Sequence, residues 1–430
     1  MEIYRRKLIS NKIKLSEYGL YISLFPIFGI TQTDVTGFTT LEYTNPSFIL
    51  RGVFNTIVCL YLIYYIAKEK NVNTLFSGGF GHFYFWYIIG GIISLLMHTP
   101  TNINSWIKSI EIITITSLAL LSYKNLQSTI GLKSAVNKVF LISLNLFFII
   151  VATAIMIGLF NMNLIYGTSE ERGVRLGATF LHPNTLALGS VCIIIMSWML
   201  KNQNFISKKK AGFIYILSIT IIYFTKSASG VLVMIIAILL ITLYQKNNFI
   251  RILFVTTILF FVVSFFLNNK IETIITEGGG TWIDRSLVYN KTVKGIKENL
   301  IWGVGVFEGE KQFFKNQNMF SNWLPSHPHN FILELLLARG FILSIPTVFL
   351  IFYCLVHALK EITYRKNINK VSFSIIFIVI LFHGLIESSI AGPFKPFCHT
   401  YFIIATFLFL NKNKANDRKI IKVNYANNIN

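Results

Sequence analysis

Twelve apolar stretches run through the 430-residue chain, at about 15–31, 52–67, 80–97, 105–122, 138–160, 183–200, 211–225, 229–245, 250–267, 337–358, 371–388 and 395–411. Each approaches the roughly 20 residues that an α-helix needs to cross a bilayer, and flanking residues can snorkel where a stretch is short. Apolar residues make up 53% of the chain and charged residues 13%, where soluble domains carry about 25% charged. Too few polar residues remain to coat three soluble domains. The expectation is an all-α polytopic membrane protein with about twelve transmembrane helices. Its narrowest division is Lys226-Ser227-Ala228-Ser229, between the seventh and eighth stretches.

The net charge of +21 is a topology signal before it is a binding signal, because cytoplasmic loops collect Lys and Arg. Among short connections, one alternate set carries 25 Lys and Arg and the other 6, with 8 more in the long 268–339 segment. Both termini are therefore expected on the cytoplasmic side, with 268–328 external. Nucleic acid is not implied as a partner. The chain reads as one membrane domain, 1–430, with 268–328 as a large external loop and a Lys/Asn-rich cytoplasmic tail at 412–430. A loop that long within a compact domain is usually functional. No A-x-A-like site follows the apolar stretch at 18–30, which reads as a retained first span. Cys59, Cys192, Cys354 and Cys398 sit singly in apolar surroundings, with no CxxC, and read as small core hydrophobes.

Three external segments hold polar residues that topology does not explain. Arg172 and Arg175 lie where positive charge is scarce, just before Thr179-Phe180-Leu181-His182-Pro183-Asn184. Guanidinium groups suit phosphate bidentately, although Glu170 and Glu171 offer Arg172 a local partner. Residues 284–300 have amphipathic spacing: at about 100° per residue, Arg285 shares a face with Val288, Ile296, Leu300 and Val293, away from Lys291, Lys294 and Lys297. A charge on that face needs a carboxylate or a bound anion.

In the third segment, Pro328 suggests that His329 and Asn330 fall in the first turn of a helix, where backbone N–H groups attract anions. Glu334 is one turn beyond Asn330 and is expected to share its face. Gly340, eleven residues after His329 and about 20° around a continuous helix, would let another backbone approach closely. His327, two residues earlier, is more plainly structural. The histidines at 82, 98, 182, 357, 383 and 399 have no evident companions. Asp34 is a lone aspartate in the first external loop, and no DxD accompanies it, so no metal site and no cofactor are expected.

Taken in order, these segments resemble the family of O-antigen ligases and oligosaccharide repeat-unit polymerases. His329-Asn330, nine residues, then Gly340 is similar to its H-N-x9-G signature. Arg285 ahead of Leu300-Ile301-Trp302-Gly303-Val304-Gly305 resembles its arginine before a Pro-hydrophobic-Gly-x-Gly turn. Gly177 through His182-Pro183-Asn184 resembles a G-x(n)-H-P-N segment, and Thr225-Lys226-Ser227 a T-x-S-R segment. Ala228 stands where the family has that arginine, Leu300 where it has the proline, and Leu343 where a Gly, Thr or Tyr follows the signature.

The resemblance implies a metal-independent glycosyltransferase with a GT-C-like fold, in the cytoplasmic membrane and working on its external face. Its substrate would be an undecaprenyl-diphosphate-linked oligosaccharide. His329 and Arg285 would be the catalytic residues. Arg172, Arg175, Lys226, Asn330, Glu334, His327 and His182 would bind substrate. Membrane lipid is a partner, and a flippase and chain-length regulators are implied as others. A polymerase is favoured over a polysaccharide ligase because polymerases are so numerous and diverse. A lipid-linked oligosaccharide transporter would instead require repeats and charged residues at mid-membrane, and of acids near the spans the sequence offers Glu111, Glu334 and Glu387.

Overall fold

The structure is a computed structural model that describes residues 2–24, 46–69, 75–76, 78–99, 102–160, 166–169, 173–176, 183–245, 281–316, 327–364, 367–387 and 396–410. Its helices are α1 (Glu2–Leu24), α2 (Pro46–Glu69), α3 (Gly78–His98), α4 (Ile103–Phe160), α5 (Pro183–Asn202), α6 (Lys208–Thr225), α7 (Ala228–Gln245), α8 (Thr281–Glu298), α9 (Glu308–Asn316), α10 (Phe331–Tyr364), α11 (Ile368–Ile386) and α12 (Pro396–Leu410). Among the described residues, six helical segments are long and apolar enough to cross a membrane: Gly78–His98, Ser105–Thr153, Pro183–Asn202, Ala228–Gln245, Phe331–Tyr364 and Ile368–Ile386. The chain is a multi-pass membrane protein.

Several expected boundaries move. The first helix begins at Glu2, not near residue 15, so the basic N-terminal segment is helical. The ninth stretch, 250–267, and residues 25–31 lie outside the described residues. The fourth and fifth stretches and the connection between them form the single 58-residue element α4, broken at Gly131 (φ 81°, ψ 164°). Unbroken, it would extend about 87 Å at 1.5 Å per residue, almost three times a ~30 Å hydrocarbon core. The structure is also not wholly helical. Strands β1 (Tyr166–Ser169) and β2 (Gly173–Leu176) pair antiparallel, with Gly167 opposite Arg175, and β2 lies against α6.

The seventh and eighth stretches are separate helices. Lys226 closes α6 in the left-handed region at φ 47°, its N–H bonded to Tyr223 O, and the Ser227 hydroxyl caps α7 by accepting from Gly230 N at 3.0 Å. At the centre of the bundle, α11 is buried on all sides from Phe373 to Leu381, the behaviour of a helix apolar around its whole circumference. Cys192 and Cys354 are buried free thiols, as expected, and Cys59 is half-buried.

Polar contacts sort the helix ends into two sets. At one end Asn137 donates to Gln203 at 3.1 Å, Gln203 donates to Asn369 at 2.6 Å, and Lys138 pairs with Glu17 at 2.7 Å. These residues flank the Lys-rich connections. Elsewhere α8 and α9 pack on α10, and the segment between them reaches α3. Val288, Ile296, Phe314 and Leu337 form one small apolar cluster there, and Leu95, Val306 and Ala338 another.

The buried stripe of α8 is Val288, Thr292, Gly295 and Ile296. Val293 and Leu300, expected on that face, are exposed, because the stripe is narrower than the apolar residues alone suggest. Lys294 and Lys297 face solvent as expected, and Lys291 is half-buried.

Candidate functional site

The site begins with a break in α10. Its helix starts at Phe331 and is interrupted at Gly340 (φ 67°, ψ −178°), a backbone region essentially closed to other residues. Helical continuity from His329 through Gly340, expected from the spacing, is therefore incorrect. The close approach expected at Gly340 is present. The segment 300–305 lies in the break: Val304 N donates to Leu337 O at 2.8 Å, Gly305 N to Ala338 O at 3.0 Å, and Phe341 N to Leu300 O at 2.8 Å. Carbonyls that the interrupted helix cannot satisfy thus find partners in the segment 300–305. A Cβ on Gly340 would strike Ile301 O and Trp302 N, and one on Gly303 would strike Leu337 O and Gly340 N. The two glycines allow two backbones to touch. Ser94 and Ser344 donate to Ala338 O and Leu335 O, at 2.7 and 2.6 Å.

His329 stands just before this helix. Asn330, not a residue of the first turn, is the N-cap: its side-chain oxygen accepts from Ile332 N and Leu333 N, and its amide donates to Leu385 O at 2.9 Å. Capping by Asn overrides the start implied by Pro328. His329 consequently sits outside the helix with φ 55°. Its Nδ1 is 3.4 Å from Glu387 Oε2, and its ring centroid is 4.3 Å from that of His327. Glu387 is nearly inaccessible, and its other oxygen accepts from the Asn184 amide at 2.8 Å. Three separate elements meet here: the start of α5, the approach to α10 and the end of α11.

Beneath the loop lies a buried charge cluster. Arg339, within the turn that precedes the break, donates to Tyr87 O at 2.8 Å and stacks on that ring at 5.5 Å. Glu334 and Glu310 are both buried, and both act electrostatically on Arg339. Glu334 therefore belongs to this cluster, one helical turn beyond Asn330, to whose carbonyl its backbone N–H donates at 2.9 Å. Burial pushes the Glu310 carboxyl well above the usual carboxylate range, with Glu334 adding repulsion. The Phe307 N–H, Arg339 and Lys108 oppose that shift only in part. Lys108 also approaches Glu308 at 3.8 Å, so α4 and α9 are bridged.

Of the other residues singled out in the sequence, Arg172 and His182 lie outside the described residues. Arg175 is placed in β2 and Arg285 in α8, in helical register with Val288, Thr292 and Ile296; their side chains lie outside the description. Lys226 is exposed at the α6–α7 turn. Among the described residues, no three His, Cys, Asp or Glu gather as a metal site. Glu387, Glu310 and Arg339 were not legible as site residues. Asn184 was visible only as the last residue of a motif.

Residues 213–348, from α6 to the middle of α10, match the family model described as O-antigen ligase. The matched segment contains Thr225-Lys226-Ser227, Arg285, the 300–305 turn, His329-Asn330 and Gly340. The resemblance carried by those motifs is thereby shown. Asn184 and Glu387 lie outside the match. No curated protein matches the chain.

Proposed function

With an O-antigen ligase segment over 213–348 as premise, we propose that this protein is a repeat-unit polymerase for a surface polysaccharide. It transfers a glycan from undecaprenyl diphosphate to a sugar hydroxyl of a second lipid-linked repeat unit. The fold is GT-C-like with about twelve spans, in the cytoplasmic membrane, with both termini cytoplasmic and the loop end external. The Lys/Arg imbalance of 25 against 6 supports that orientation. Labelling from outside intact cells is expected at Lys311→Cys and not at Lys209→Cys; the reverse pattern would invert the molecule.

The observation that carries the reading is the placement of His329 beside a buried carboxylate, just before the helix that Gly340 interrupts. In the reaction, the acceptor oxygen bonds to the anomeric carbon while the bond from that carbon to the phosphate oxygen breaks. The electron pair leaves with the diphosphate, and the acceptor proton passes to His329 as general base. Charge developing on the leaving group needs positioned cations, for which Arg285, Arg175 and Arg172 are the candidates, and Lys226, His182 and His327 are the further candidates for substrate binding. No metal is required by this scheme. A flippase and a chain-length regulator would act before and after it.

The family description itself favours a second reading, a ligase that moves a finished glycan to another acceptor. The purified protein with synthetic undecaprenyl-diphosphate repeat units separates the two. A ladder of lengthening lipid-linked glycans marks the polymerase, and transfer only after addition of a different acceptor marks the ligase. Movement of intact lipid-linked oligosaccharide across vesicles, without transfer, would defeat both in favour of a transporter.

A further inference from the structure

We infer that Glu387 is a positioning residue for His329, and that Asn184 holds its carboxylate in place. This rests on the reading of His329 as the general base. Glu387 immediately follows the last residue of α11, and its backbone N–H is bonded to His383 O at 2.7 Å. The negative end of a helix dipole is the wrong place for an acid, and burial makes it worse. A carboxylate stays there only with N–H donors arranged around it. The Asn184 amide supplies one on Oε1 at 2.8 Å, and the His329 imidazole faces Oε2 at 3.4 Å. Asn184 is itself buried, directly after Pro183 at the start of α5. These contacts join residues 203 and 58 positions apart in sequence, so the arrangement is a product of the tertiary fold.

The chemistry follows from the two ring nitrogens. An Nδ1–H donated to Glu387 fixes the tautomer in which Nε2 is the basic nitrogen. When Nε2 takes the acceptor proton, the imidazolium forms opposite a carboxylate that remains ionised. Asn184 has a second part: by occupying Oε1 it turns Oε2 toward the ring. A glutamine at 387 would keep the Asn184 contact through its carbonyl but present an NH₂ to Nδ1. The ring would then adopt the other tautomer, with Nε2 protonated and unable to accept a proton.

The test is steady-state transfer by the full-length protein in nanodiscs, with synthetic undecaprenyl-diphosphate oligosaccharide. Glu387→Gln is expected to lower kcat by about 100-fold or more, in the range of general-base effects, with KM and the thermal midpoint close to wild type. Glu387→Asp, which keeps the charge, recovers part of that loss. In a His329→Ala background, the Glu387→Gln change is expected to cost less than about threefold, because residues acting as a unit are not additive. Asn184→Ala, the variant to use if Glu387→Gln does not fold, is expected to lower kcat about tenfold at unchanged KM. Wild-type kcat in Glu387→Gln or in Asn184→Ala overturns the inference. So does a full loss from Glu387→Gln on top of His329→Ala, which would make Glu387 the base or a purely structural acid. Full activity in His329→Ala alone would instead remove the underlying reading.

Discussion

Two glycines break two long helices in this protein, and their surroundings differ completely. Gly131 in α4 and Gly340 in α10 both hold positive φ, 81° and 67°, with extended ψ. A Cβ at Gly131 would meet nothing within 4 Å. At Gly340 it would meet the backbone of Ile301 and Trp302. The first break kinks α4 six residues before Asn137, whose neutral amide joins those of Gln203 and Asn369. The second exposes carbonyls that the segment 300–305 then satisfies, and near it Glu310 of α9 joins Arg339 and Glu334 of α10. The same backbone geometry makes a bare kink in one helix and a docking site in the other. What differs is whether a second backbone fills the space.

The largest expected effect tests that contrast directly. Gly340→Ala adds backbone strain of about 1–3 kcal/mol and an overpacking cost of similar size, on the order of 1–3 kcal/mol. Both fall where the two backbones touch. Transfer activity is expected to drop about 100-fold, and protease sensitivity within 281–316 to rise. Gly131→Ala bears the strain alone, so it should lower the thermal midpoint while leaving kcat within about threefold. Equal losses of activity from the two would erase the distinction drawn here.

Arg285 sharpens the comparison from the loop side. It lies in register with Val288, Thr292 and Ile296, the stripe by which α8 meets the bundle. If that register presents the guanidinium to the carrier diphosphate, Arg285→Ala should reduce chain extension by about 10- to 100-fold. Lys should restore little of it, because it lacks the planar fork. Full chain extension in Arg285→Ala, measured as polymer length, would leave the arginine a structural role only.

The smallest effect is a pH dependence of loop docking. The Glu310 carboxyl is raised above its ordinary value of 4.5 by burial and by Glu334. The docked form therefore holds this proton more tightly than the undocked form. Its contribution to stability is complete below the ordinary carboxylate value and is lost as pH rises through the raised one. Glu310→Gln, a neutral mimic, should flatten the fall of the thermal midpoint as pH rises above the ordinary carboxylate value. A slope identical to wild type would place the titrating group elsewhere.

These regions were not equally legible in the sequence. Apolar stretches and the Lys/Arg alternation read directly as helices and as two sets of connections, because length and charge are local properties. The ordered motifs mark Arg285, the 300–305 turn, His329 and Gly340. The break at Gly340 was hidden, because apolar spacing continues across it, whereas Gly131 lies in the polar segment between the fourth and fifth stretches; at neither place does the spacing report a positive φ. Angles counted along α10 from His329 failed for that reason. Asn330 read as a substrate group because its capping partners, Ile332 N and Leu333 N, are backbone atoms that carry no sequence signal. Glu387 was visible only as an acid near a span. Its meaning depends on Asn184 and His329 arriving from distant parts of the chain. The β1–β2 hairpin was missed because four-residue strands are too short for an alternating pattern to stand out.

The central claim is that His329, not its neighbour, takes the acceptor proton. The most direct measurement is polymer chain length in cells lacking the native gene and expressing His329→Ala or His327→Ala at equal level. General-base loss costs about 10²- to 10⁴-fold in rate, or about 3–5 kcal/mol of transition-state stabilisation. His329→Ala is therefore expected to yield no long polymer, and His327→Ala to yield chains near wild-type length. Long polymer from His329→Ala would contradict the account.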